Sequence, residues 1–217
     1  MMSTNSWYSD AIEYWSGVEA TVDGMLGGFE HLSELDARDS LQFLNEYLVD
    51  AKSKPRVACD CGAGIGRVTE TFLLNVCDRV DLVEQNEEFL NKARVTLTGK
   101  DCGFIAQGLQ NFTPETHRYD LVWCQWVLGH LTDSDLVLFL RRLKASLKPE
   151  AIVGIKENIL GREQSSDYVV DHMDSSATRS DALFKKIFKR AGLTLLKEQL
   201  QSDFPDSMYP VKMYILH

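Results

Sequence analysis

Val57-Ala58-Cys59-Asp60-Cys61-Gly62-Ala63-Gly64-Ile65-Gly66-Arg67 runs from an apolar stretch through alternating glycines to a cationic side chain. The first five residues read as a buried strand, and the glycines as a sharp turn into a helix. Lacking Cβ, glycine lets the backbone turn tightly and approach a bound nucleoside. Alone, such a turn fits a cofactor loop or a structural turn equally well. The next apolar run, Val80-Asp81-Leu82-Val83-Glu84, ends in a carboxylate about twenty residues further on, where doubly wound folds bind ribose. An ionised carboxylate can accept from both ribose hydroxyls, which makes Glu84 the candidate ribose ligand. The spacing Gly62, Gly64, Gly66 departs from the G-x-G-x-x-G pattern of dinucleotide enzymes.

Outward from this segment, short Val- and Ile-rich runs alternate with amphipathic ones, as parallel strands joined by helices require. Strands are expected at Arg56–Asp60, Arg79–Glu84, Gly103–Gln107, Tyr119–Gln125 and Ala151–Glu157, with helices at Arg67–Val76, Glu87–Leu97 and Asp135–Leu147. A polar stretch, Leu160–Tyr168, precedes a helix at Asp181–Ala191 that Gly192 should stop. Leu193–Leu200 and Val211–Leu216 should add an antiparallel pair. Ahead of the sheet, Trp7–Trp15 and Ala37–Val49 read as helices flanking a glycine-rich segment. The expected organisation is a helical extension and clasp, residues 1–50, packed on an α/β core, residues 51–217, as a single structural domain.

Composition narrows the function. The 217 residues are 44% hydrophobic and 25% charged, near the globular average, so the chain should fold by itself. A formal net charge of -9 argues against nonspecific nucleic-acid binding and suits a cationic substrate. No run has the length of a membrane span, and Met1–Asp10 lacks the order of a signal peptide, so a soluble, unsecreted monomer of the cytoplasm or nucleus is expected. The five cysteines, Cys59, Cys61, Cys77, Cys102 and Cys124, read as reduced core thiols without zinc-site spacing, and no metal is expected.

Asp60-x-Gly-x-Gly-x-Gly resembles the first motif of class I S-adenosylmethionine-dependent methyltransferases. Three longer segments sharpen the match: Ala20-Thr21-Val22-Asp23-Gly24-Met25-Leu26-Gly27-Gly28, Trp123-Cys124-Gln125-Trp126-Val127-Leu128-Gly129-His130-Leu131-Thr132-Asp133, and Ile155-Lys156-Glu157-Asn158. With Asp174-Ser175-Ser176 they resemble the alpha-N-terminal protein methyltransferases, which modify proteins beginning X-Pro-Lys after methionine removal. The resemblance spans nearly the whole chain. It implies a Rossmann-like, doubly wound, seven-stranded sheet with an antiparallel last strand. The implied reaction is mono-, di- or trimethylation of an α-amine, giving S-adenosylhomocysteine.

The resemblance also implies roles. Asp60 and the backbone at Gly62 and Gly64 would hold the methionine end of the cofactor, Arg67 its carboxylate, Leu109 and Gln110 the adenine, and Gln125 would lie beside the methionine moiety. Leu26 and Gly27 belong to a clasp over the peptide. Trp126 offers an aromatic face to proline, Asn158 binds the first carbonyl, and Tyr209 supports the peptide. Asp171 and Asp174, three apart on what reads as one helical turn, would attract the third-position lysine, with Ser176 adding a hydrogen bond. An α-amine with a pKa of about 7.7–8.0 is largely protonated at neutral pH and needs a base. Asp174 and His130 are the candidates, with the division between them open. Glu157 stands where aspartate is common in the family, and Gly161–Tyr168 matches poorly. The alternatives are a small-molecule amine methyltransferase and a noncatalytic cofactor- or peptide-binding protein.

Overall fold

The computed structural model describes residues 4–48, 56–161 and 163–217. The expected boundary between residues 50 and 51, and the last residue of the helix read as Ala37–Val49, lie outside them. The chain runs α1 (Thr4–Ser16), α2 (Val22–Met25), α3 (Ser33–Leu48), β1 (Val57–Cys61), α4 (Arg67–Thr71), β2 (Arg79–Glu84), α5 (Glu87–Thr96), β3 (Cys102–Ala106) and β4 (Tyr119–Gln125). It continues through α6 (Asp133–Ser146), β5 (Leu147–Asn158), β6 (Tyr168–Asp171), β7 (Ser176–Arg179), α7 (Asp181–Ala191), β8 (Leu195–Leu200) and β9 (Val211–Leu216).

The main sheet has seven strands in the order β3-β2-β1-β4-β5-β9-β8. Strands β3 to β5 pair in parallel, and β9 lies antiparallel to both β5 and β8. Alternate strand residues face opposite sides, so a sheet covered on both faces needs apolar residues at nearly every position. Cys59, Val122, Val153 and Ile155 pack towards Phe139, Leu143, Phe184 and Phe188 of α6 and α7. Ala58, Leu82, Leu121 and Trp123 pack towards Phe43 and Leu44 of α3 and Leu90 and Ala93 of α5. Asn86, Thr132 and Ser180 cap α5, α6 and α7 with their side chains, and Gly192 ends α7 in the left-handed conformation.

Helix α4 is shorter than the expected Arg67–Val76. Phe72 leaves the helical region (φ -132°, ψ -61°) and turns its ring into the core, 4.9 Å from that of Trp123. A tighter turn, Leu73–Asn75, follows. The segment carrying Asp171 and Asp174 is also not a helical turn. It is a hairpin of β6 and β7, with Asp171 closing β6 and Asp174 in the connecting turn. β6 lies largely exposed, so no alternation of burial marked it in the sequence.

Candidate active site

Two adjoining cavities open over the carboxyl ends of the parallel strands, where open α/β sheets bind ligands. The first encloses about 970 Å³ including its open mouth, within the range of small-molecule sites. Gly62 and Gly64, Glu84, the Gln107–Gln110 loop after β3, Gln125 and Arg67 form its walls, and α1 roofs it with Tyr8, Ala11 and Trp15. Those three are spaced i, i+3 and i+7, one face of a helix. Of the eight residues expected at the cofactor, seven, Gly62, Gly64, Arg67, Glu84, Leu109, Gln110 and Gln125, line this cavity. Asp60 does not. It is buried beneath the loop, accepts the Thr69 hydroxyl at 2.7 Å, and is pushed up to about 6 by burial.

Several polar groups of this cavity are already held by the protein. Glu84 accepts from the Gly64 N–H at 3.0 Å and the Asn86 N–H at 2.8 Å, so one carboxylate ties the glycine loop to the start of α5. Burial still pushes its carboxyl up. Arg142 of α6 donates to the carbonyls of Leu109, Gln110 and Phe112, fixing the loop after β3. Gly62 and Gly64 both have positive φ, and a Cβ at either would press on a neighbour, immovably at Gly62 and against a flexible side chain at Gly64. At Gly62 it would lie 2.3 Å from the Val127 side chain, and at Gly64 2.9 Å from the Met25 sulfur.

A buried ionic cluster lies under the rear wall. Asp36 of α3 accepts from Arg67 Nη1 at 2.8 Å, from Gln125 Nε2 at 2.8 and 2.9 Å, and from Lys156 Nζ at 2.5 Å. Lys156 is fully buried and also donates to the Asp36 carbonyl and the Ser40 hydroxyl. Against the cost of burial, Lys156 and Arg67 hold the Asp36 carboxyl below its usual range. The cluster joins α3 to α4, β4 and β5.

The second cavity is lined by Leu26, Phe29 and Leu32 beyond α2, by Asn158 and Glu157 ending β5, by Asp174, Ser176 and Thr178 of the hairpin, and by Phe204 and Met208 of the β8–β9 loop. Trp15, Met25, Trp126 and His130 line both cavities and so mark where they meet. Of the residues expected at the substrate, Leu26, Trp126, Asn158, Asp174 and Ser176 line this cavity. Gly27, Asp171 and Tyr209 are exposed and form no part of its wall, and Asp171 instead accepts from the Met173 N–H.

Among the described residues, the buried side-chain polar atoms without a hydrogen-bond partner include Trp126 Nε1 and Asp174 Oδ1, and both residues line this cavity. Trp126 and Ser175 also hold φ near +51°, a strained region for any residue with a side chain. Strain and open hydrogen-bonding valences gather where a ligand is meant to sit. Glu157 Oε1 accepts from the N–H groups of Val127 and Leu128 at 2.8 and 2.7 Å, anchoring the segment between Trp126 and His130. Sequence reasoning did not place α1, Asp36, Lys156, Phe204 or Met208 at the site. A lysine within an apolar strand was the one available signal, since such a charge needs a partner.

The profile of the AdoMet dependent proline di-methyltransferase family matches residues 3–217. The chain belongs to this family. Among its relatives are the alpha N-terminal protein methyltransferase 1 of Schizosaccharomyces pombe, 46% identical over 99% of this chain and 98% of the relative, and the N-terminal Xaa-Pro-Lys N-methyltransferase 1-B of Xenopus laevis, 46% identical over 94% and 92%. A SAM-dependent methyltransferase from Leishmania major superposes with a TM-score of 0.90 at 36% identity, covering 97% of this chain and 83% of that one. Magnesium protoporphyrin IX methyltransferase from Synechocystis shares the fold at a TM-score of 0.64 and 15% identity, over 98% and 93%. The family member described here is therefore an S-adenosylmethionine-dependent methyltransferase with the class I fold. The first cavity fits that cofactor: it offers a strand-end carboxylate, glycine backbone and an apolar wall of Phe89, Val68 and Leu109. No helix among its described residues is long and apolar enough to cross a membrane.

Proposed function

We propose that the enzyme methylates the α-amine of proteins that begin X-Pro-Lys, with the peptide in the second cavity and the cofactor in the first. The observation that carries this reading is the junction of the two cavities at Trp15, Met25, Trp126 and His130, with an unpartnered Asp174 oxygen on the acceptor side. The names of relatives at 46% identity support the same acceptor.

When bound, S-adenosylmethionine supplies an electrophilic methyl group. Glu84 would hold its ribose, Leu109 and Gln110 its adenine, the Gly62–Gly64 backbone its methionine end, and Gln125 would stand beside the methionine moiety. Arg67 has spent one Nη1 donor on Asp36 and keeps others for the cofactor carboxylate. On the acceptor side Asn158 orients the first peptide carbonyl, and Leu26 with Trp126 receives the proline ring. Asp174 and Ser176 receive the positive end of the substrate. The reactive amine must present a lone pair, so an anionic or neutral base within the cavity takes its proton. The rest of the acceleration comes from holding nitrogen and methyl carbon together in a closed site.

The test is incubation of the full-length protein with S-adenosylmethionine and peptides beginning Ser-Pro-Lys or Pro-Pro-Lys, read by mass spectrometry. Mass gains of one to three methyl groups on the terminal nitrogen are expected, and none on an N-acetylated control. Bound cofactor with no transfer to any unblocked peptide would overturn the reading.

A further inference from the structure

We infer that Trp15 is a positioning residue that fixes His130 as its neutral Nδ1–H tautomer, which removes His130 from proton transfer and leaves Asp174 as the acceptor. The inference rests on the function proposed above and divides a role that the sequence left shared.

An indole nitrogen donates and never accepts. Trp15 Nε1 lies 3.0 Å from His130 Nε2, so Nε2 must present its lone pair. The other ring nitrogen, Nδ1, faces the Ser175 carbonyl at 3.3 Å, an acceptor only, so Nδ1 carries the hydrogen. A second proton on Nε2 would set two N–H groups against each other. The neutral tautomer alone satisfies both contacts.

Trp15 is held in place. Its ring stands edge-on to His130, with centroids 5.8 Å apart and planes at 86°, and packs against Phe89 on another side. Trp7, eight residues earlier on α1, donates to the His130 carbonyl at 2.7 Å, so the helix grips both the backbone and the ring. Burial further lowers the pKa of the imidazole, although the Asp174 charge acts in the opposite direction.

The other charged groups around this segment are committed. Glu157 of β5 is engaged with the Val127 and Leu128 N–H groups. Arg179 of β7 donates to the Leu128 and Leu131 carbonyls and to Asp133. From α1, the Tyr8 hydroxyl donates to Asp135. Among the described residues lining the second cavity, Asp174 Oδ1 is the buried carboxylate oxygen without a hydrogen-bond partner, and Glu157, the other carboxyl there, is pushed up to about 7 by burial.

The proton therefore passes from the substrate ammonium to the Asp174 carboxylate. The freed nitrogen then takes the methyl group, and the donor sulfur keeps the electron pair of the broken bond. Because Trp15 also roofs the cofactor cavity, seating α1 both encloses the donor and silences the competing base.

The decisive measurement is long-range proton–nitrogen NMR of the full chain with ¹⁵N-labelled histidine, with His130→Asn identifying the signal. In the wild type, Nδ1 should be protonated, Nε2 bare, and the ring should not titrate between about pH 6 and 8. Trp15→Phe keeps a ring but removes the donor. His130 should then titrate, the acid limb of kcat should move up by about one pH unit, and kcat near pH 7 should fall on the order of tenfold, with a smaller change in peptide KM. A proton on Nε2 in the wild type, a titrating wild-type ring, or an unmoved pH profile in a folded Trp15→Phe would overturn the inference. If that variant does not fold, the wild-type spectrum decides alone. A wild type that methylates no peptide refutes the proposed function. A wild type that methylates normally with Nε2–H refutes this inference by itself.

Discussion

The two cavities are built on opposite terms. In the first, Glu84, Arg67 and Gln125 are already hydrogen-bonded within the protein, to Gly64, Asn86 and Asp36. In the second, the Asp174 carboxylate oxygen lies buried without a partner, as does the Trp126 indole N–H where the two cavities meet, and Trp126 and Ser175, next to Asp174, carry backbone strain. The first is a fixed frame in which a ligand shares groups already in use. The second keeps its valences open at a cost in stability, and they are satisfied only when the acceptor arrives. A frame should therefore fail through folding and an open site through turnover.

The largest effect expected is on turnover. Asp174→Asn keeps an acceptor oxygen but removes the carboxylate that takes the proton, and should lower kcat by about a hundredfold or more, with S-adenosylhomocysteine affinity by calorimetry unchanged. An equal loss of cofactor affinity would break the contrast between the cavities. Next comes the frame. Asp36→Ala leaves Lys156 charged and buried without its carboxylate, and should cost about 3–5 kcal/mol of stability in thermal or urea unfolding. Adding Lys156→Met should recover most of that loss. A double variant no more stable than Asp36→Ala would show that the cluster does not act through the buried charge.

Glu157 sharpens the contrast through pH. Burial pushes its carboxyl from 4.5 up to about 7, so near pH 6 the folded protein holds a proton that the unfolded chain has released. The stability this confers is complete below about 4.5 and is lost as pH rises through about 7. Glu157→Gln cannot ionise and keeps an acceptor for Val127 and Leu128. The wild-type Tm should fall relative to that of the variant across this window, and parallel curves would show that Glu157 does not titrate there. The smallest effect belongs to Trp126→Phe, which keeps the ring and loses the free N–H. Peptide KM should rise by less than about tenfold, the worth of one hydrogen bond at roughly 0.5–1.5 kcal/mol, with cofactor affinity unaffected.

The same contrast explains what could be read from the sequence. The first cavity sits on strand ends, and strands announce themselves by apolar runs, so Gly62, Gly64, Glu84 and Gln125 could be placed by counting from them. Most of the second is assembled from α1, the segment around α2, the β6–β7 hairpin and the β8–β9 loop. These have little periodicity, and their contacts form only in the folded chain. The resemblance supplied Leu26, Trp126, Asn158, Asp174 and Ser176. It gave no sign that Asp171 and Asp174 belong to a hairpin, or that Trp15 reaches His130 from 115 residues away. Lys156 was visible as a charge inside a strand, but the Asp36 carbonyl and carboxylate that hold it lie 120 residues earlier.

Gly62 and Val127 compete for one volume, since a methyl group on the former would overlap the side chain of the latter. The glycine loop and the segment between Trp126 and His130 are thus cut to each other, and neither can be recast separately. Trimming position 127 would open a void against the glycine loop, and enlarging position 62 would press on the segment that carries Trp126 and His130. Variants meant to broaden its scope belong in paired libraries at these two positions.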